Sequence, residues 1–173
     1  MASAPITKPD NGKLPPGYKP EFTLTTQTGS HDDMLAVVST ISGKKLSDVF
    51  STAVTLGMRR FNYYVCENRI RQLLINLSPW TIGPCREFTT IAALPPFCIW
   101  LIEYDSESET GRGVIFRHIS AQPNQPSFNY VMDVSNTIPE AQRVTTSLSH
   151  LNTKSSWYWE LTMRPNPNGT RPK

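Results

Sequence analysis

The sequence predicts a segregated α+β domain, with helices in its first half and an antiparallel sheet in its second. Apolar residues between positions 34 and 77 recur at helical spacing. From residue 97 onward they gather in short β-branched and aromatic runs bounded by polar turns. The two kinds of segment do not alternate, which sets this chain apart from a parallel βαβ arrangement. Its 173 residues, 38% hydrophobic and 18% charged, suit one domain with a substantial core and are too apolar for a disordered chain.

Residues 1–22 hold Pro5, Pro9, Pro15, Pro16 and Pro20. Proline fixes φ and removes a donor, so this stretch reads as an extended arm, disordered or laid over the domain. The domain proper is expected over 23–163, and Pro165, Pro167 and Pro172 mark 164–173 as a flexible tail. Met34 to Ile41 is apolar nearly all round, the pattern of a central helix, with Gly43 placed as its C′ residue. Asp32 and Asp33 stand where acidic caps face a helix dipole. A second helix is expected from Ser47, as N-cap, to Leu56, with Val49, Phe50, Ala53 and Val54 at helical spacing and Gly57 ending it. A third covers Glu67 to Leu77, where Ile70, Leu73, Leu74 and Leu77 form one stripe and Pro79 stops the run. A short helical turn is expected around Glu87 to Ala93. Strands follow at Phe97–Tyr104 and Gly113–Ile119, joined by the polar stretch 105–112, and then at Phe128–Asp133 and Trp157–Met163.

Several function classes are disfavoured. The net charge of +3 is small and dispersed, without the basic, aromatic-interleaved block of a nucleic-acid groove. The longest apolar stretch, 97–102, is too short to span a bilayer, and the polar N-terminal arm lacks a signal peptide's apolar segment, so cytoplasmic residence is expected. Cys66, Cys85 and Cys98 are odd in number and widely spaced, which argues against a disulfide framework. No C-x-x-C or H-x-x-x-H pair suggests a metal, and no cofactor is expected.

Some short motifs follow one another in a suggestive order. Thr25-Thr26-Gln27 precedes His31-Asp32-Asp33-Met34-Leu35-Ala36 at the mouth of the central helix, and Gly43-Lys44-Lys45-Leu46-Ser47 leads to the second. Leu94-Pro95-Pro96-Phe97 enters a strand through Ile99-Trp100-Leu101. Gly111-Arg112-Gly113-Val114-Ile115-Phe116 and Tyr130-Val131-Met132-Asp133 follow. Over about residues 24 to 134 this series resembles the C39 and C39-like family of papain-like cysteine peptidases. The resemblance implies a helical half packed on a C-terminal antiparallel sheet. It further implies a nucleophilic cysteine at the central helix N-terminus, where partial positive charge favours thiolate, and a histidine on the facing strand. An orienting carboxylate is implied on the next strand, and a glutamine ahead of the helix as oxyanion donor.

On that likeness Gln27 and Asp133 stand at the glutamine and aspartate positions, but Met34 occupies the cysteine position and Gly113 the histidine position. A thioether has no proton to lose, and glycine offers no base. The expected function is therefore an inactive pseudopeptidase that holds a peptide or protein ligand, with Gln27, Asp32, Asp33 and Met34 at the binding end. Trp80, Trp100, Trp157 and Trp159 are candidate cleft aromatics, although tryptophans more often serve the core. An alternative is an active cysteine hydrolase using Cys66 or Cys85 with His118. His118 lies five residues after Gly113, an odd spacing that sends it to the opposite sheet face unless a bulge intervenes. His31 is placed to approach the helix mouth, His150 sits in a polar loop, and Cys98 reads as packing. A third reading is a structural or assembly protein that uses the fold as a scaffold.

Overall fold

The computed structural model describes residues 12–58, 66–108 and 110–165. Three helices come first: α1 (Asp33–Ser42), α2 (Leu46–Thr55) and α3 (Glu67–Leu77). The strands β1 (Trp80–Glu87), β2 (Phe97–Asp105), β3 (Thr110–Ile119) and β4 (Phe128–Asp133) follow. A short α4 (Glu140–Arg143) then leads to β5 (Val144–Thr145) and β6 (Trp157–Met163). The strands form one antiparallel sheet in the order β1-β6-β2-β3-β4-β5. The class is α+β.

Each face of the sheet carries its own core, which is why β2 and β3 read as continuous apolar runs rather than alternating ones. On one face the helices bury Leu35, Val38, Ile70 and Leu74 against Ile99, Ile115, Tyr130 and Met132. On the other, Trp100, Val114, Phe116, Val131 and Tyr158 are covered by Leu94 and Leu151, with Phe88 against the Trp100 ring. The Trp100 indole N–H donates to Ser156 Oγ, so this buried polar atom is satisfied. Helix α1 is buried from Met34 through Ile41 and ends at Gly43, whose φ of 65° is left-handed, as a C′ glycine requires.

Local expectations need correcting at several points. Ser47 is not the α2 cap: the helix begins one residue before it, with extended Lys45 as N-cap. Asp32 does occupy the α1 cap position, but its carboxylate turns back to accept from the Thr28 N–H and hydroxyl and from the Gly29 N–H, tying the preceding loop. The helical turn is confined to a 3₁₀ turn at Ile91–Ala93, because Glu87 belongs to β1. The Gly83-Pro84-Cys85-Arg86 segment has the composition of a turn, but it lies within β1, where the register breaks between Ile82 and Cys85. An edge strand tolerates proline and an irregular ladder, and pairing with β6 overrides the local turn signal. The strands β2 and β3 also extend into the polar stretch between them, where Asp105 closes the turn by accepting from Glu107 N–H and Ser108 Oγ.

From Gly12 onward the arm lies on the domain. The Gly12 carbonyl accepts from the Thr145 hydroxyl and the Thr146 N–H, and Leu14, Tyr18 and Phe22 pack against the main core. Residues 1–11 and 166–173 lie outside the described residues. Arg164 closes the sheet end, donating to the Ile75 and Ser78 carbonyls.

Candidate functional site

The N-terminus of α1 points at the start of the β3 core run. Gly113 is buried, and its N–H donates to Asp33 Oδ2 at 2.8 Å. A β-carbon at position 113 would lie 2.9 Å from Met34 Sδ, 3.0 Å from Met34 Cε and 3.4 Å from Asp33 Oδ2. Contacts this close require something to shift, so a side chain at 113 would have to displace the Met34 thioether, the flexible end of that side chain. An imidazole at 113 would compete with the Met34 thioether for this space. Burial pushes the Asp33 carboxyl above the ordinary aspartate range, although N–H donors from Gly113, Met34 and Asp33 itself favour its charge.

Beside this contact lies a groove of about 1170 Å³. The Gln27–His31 loop, Asp33 and Met34 form one wall, Ser135–Thr137 and Thr110–Arg112 border it, and Cys66, Glu67 and Cys85 stand opposite. Strand register gives the floor a defined order: Gly113 faces Leu101, Leu101 faces Trp157, and Trp157 faces Glu87. The neighbouring row brings Cys85 beside Trp159.

Tyr104 joins the groove through a bulge. Regular alternation would send it to the face opposite Leu101, but the register shifts between Ile102 and Asp105, and Glu103 takes a positive φ of 55°. The Glu103 carboxylate receives two bonds from the Arg112 guanidinium, and its backbone N–H donates to the Asn152 carbonyl. The bulge leaves Tyr104 edge-on to Trp157, ring centroids 4.6 Å apart. Sequence reasoning missed Tyr104, Glu103 and Arg112; glycine is the usual marker of a positive φ, and none stands at 103.

The sequence-selected residues divide. Gln27, Asp33, Met34, Cys66 and Cys85 all line the groove, together with His31. Gln27 is anchored at both ends, its N–H donating to the Val134 carbonyl and its side-chain amide to the Gly29 carbonyl. Asp32 is buried beneath the loop rather than open to the groove. Asp133 pairs with Val114, the face away from Met34, and its buried carboxylate accepts from Arg112 and from the Ser135 N–H. His118 is not brought to the groove. It sits near the far end of β3 with Nδ1 2.7 Å from Asn129 Oδ1, so the structure does not join it to Cys66 or Cys85. Trp80 packs on Phe97 and Trp100 is sealed in the second core, leaving Trp157 and Trp159 as the groove tryptophans.

No family model, curated protein or solved structure matches the chain. The site must be read from its own chemistry.

Glu67 closes one end. It accepts from Trp159 Nε1 at 3.1 Å and from Arg71 at 2.8 Å. Burial pushes its carboxyl up, but these bonds outweigh it and hold the group below the usual glutamate range. Cys66 caps α3 and is exposed, as is Cys85; burial first, and the Glu67 charge second, push the Cys85 thiol up. Among the described residues no group of three or more His, Cys, Asp or Glu could hold a metal ion, and no helix is long and apolar enough to cross a membrane.

Proposed function

We propose that this protein is a catalytically inactive, C39-like pseudopeptidase of papain-like fold whose groove binds an extended peptide or protein segment. The observation that carries the reading is the packing of Met34 on Gly113. The helix tip that would present a nucleophile presents a thioether, and the facing position is a glycine, with no side chain to act as a base. The groove beside it offers an extended chain the exposed residues 28–31, the exposed Thr137 and aromatic walls. The three free thiols suit a reducing compartment, and the cytoplasm is the proposed setting.

Fluorescence polarisation with labelled random-peptide pools tests the reading. Saturable binding that is lost in Trp157→Ala and accompanied by a change in tryptophan emission is expected. Pools that fail to bind at any concentration would sink it. Replacing Met34 by Cys and Gly113 by His together should give no turnover of a fluorogenic peptide library, because Asp133 is committed to Arg112 and Ser135.

A second reading, a cysteine hydrolase, draws on the exposure of Cys66 and Cys85 in the same groove as His31. It requires one thiol to react with iodoacetamide stoichiometrically and far faster than free cysteine, with protection by bound peptide.

A further inference from the structure

The groove's charges are not evenly matched. Arg112 borders it, and its guanidinium is already met by two carboxylates, Glu103 and Asp133. Glu67 is met in turn by Arg71. Asp33 is different. Its carboxylate accepts backbone N–H groups, and among the described residues no cationic side chain bonds to it.

Strand register fixes what lies around that carboxylate. Asp33 Oδ2 is held on the Gly113 N–H, which points to the β4 side of β3, while Leu101 pairs with Gly113 on the β2 side and Trp157 lies beyond it. Two strand spacings separate the Gly113 and Trp157 backbones, about 10 Å. Leu101 is half-buried between them as an apolar floor, while Trp157 with Tyr104 set edge-on to it forms an aromatic corner on the far side. An aromatic corner, an apolar floor and a carboxylate lining one groove are the chemistry that accepts a long aliphatic stem ending in positive charge. Stem methylenes lie on the floor, the ring face attracts the cation, and the carboxylate neutralises it.

We infer that the segment bound in this groove carries a lysine or arginine whose charged end lies between the Tyr104–Trp157 corner and the Asp33 carboxylate. The inference rests on the peptide-binding reading above and names the residue that the groove selects. A cation seated there also stabilises the ionised carboxylate that burial disfavours, so binding and ionisation support one another.

The test uses the intact protein and labelled short-peptide pools that are random except for one fixed residue, set to lysine, arginine, norleucine or glutamate. Norleucine matches the lysine stem without its charge. The lysine and arginine pools should bind about tenfold tighter than the norleucine pool, and the glutamate pool weakest, in keeping with a partly desolvated cation–π contact plus an ion pair. Asp33→Asn, which keeps an acceptor for the Gly113 N–H, should bring the lysine and norleucine pools together, and Trp157→Leu should do the same. The comparison of pools on the unaltered protein stands even if a variant folds poorly. Equal affinity for all pools, or a preference for norleucine or glutamate, overturns the cation inference and leaves peptide binding intact. If no pool binds, peptide binding itself fails, and this inference with it.

Discussion

Met34 Sδ stands where a side chain at position 113 would begin, 2.9 Å from the β-carbon that Gly113 lacks. A side chain at 113 would have to displace the Met34 thioether from this contact between helix α1 and strand β3. The φ of Gly113 is not among the positive values, so an alanine there is disfavoured by contact rather than by backbone strain. Gly113→Ala should cost about 1–3 kcal/mol through overpacking. Met34→Ala alone should cost about 2–5 kcal/mol through loss of buried volume. Made together, the changes should cost less than their sum by more than about 0.5 kcal/mol, because the alanine methyl enters the space that the thioether vacates. Urea denaturation of the four proteins measures this, and strict additivity would show the contact to be incidental.

Asp33 gives a pH signature. Its carboxyl is raised in the folded protein, so the native state holds that proton more tightly than the unfolded chain does. Stability from this group is full at the acid end and declines as pH rises from the ordinary aspartate value through the raised one. Asp33→Asn should abolish the decline. Wild-type and variant midpoints compared across about pH 4 to 7 should diverge in the variant's favour as pH rises. A constant difference over that range contradicts the assignment.

Arg112 is predicted to be the costliest surface-facing residue to remove. Its partner Asp133 is 0% exposed, and without the guanidinium that carboxylate retains the Ser135 N–H as its remaining hydrogen bond. Arg112→Gln should destabilise by roughly 3–5 kcal/mol, the cost of a buried charge left unpaired. Adding Asp133→Asn should recover much of the loss, and thermal unfolding of the pair decides it. A milder single-variant effect would mean that water reaches Asp133.

The thiols should separate by environment. Iodoacetamide at neutral pH should modify Cys66 and Cys85 in the native protein and leave Cys98, whose thiol burial pushes far up, until the chain unfolds. Cys85 should react more slowly than free cysteine, because burial and the Glu67 charge both favour its protonated form. Glu67→Gln should accelerate it. Mass spectrometry of quenched time points reads each site, and unchanged Cys85 kinetics in that variant would remove Glu67 from the account.

Much of the fold was legible because burial imposes period on sequence. The all-apolar run from Met34 to Ile41 announced a helix enclosed on every side, and α3 begins and ends on the residues that its stripe and Pro79 define. Where local chemistry and long-range pairing disagreed, pairing won. Gly83-Pro84 reads as a turn in isolation, yet eight residues around it join the sheet as β1 because β6 supplies the ladder. Ser47 is a good cap in principle, yet α2 starts before it, and the Asp33 carboxylate is drawn across to the β3 backbone.

The order of apolar and polar residues alone determined that helices precede strands and that α1 is central. Periodicity and composition are local properties, and these follow from them. Tertiary structure alone decided that Glu103 bends against its preference to swing Tyr104 beside Trp157, that Asp133 serves Arg112, and that Asp33 lines the same groove as that aromatic pair. Each depends on strand register and on groups distant in sequence, where a shift of one residue exchanges the two faces of the sheet.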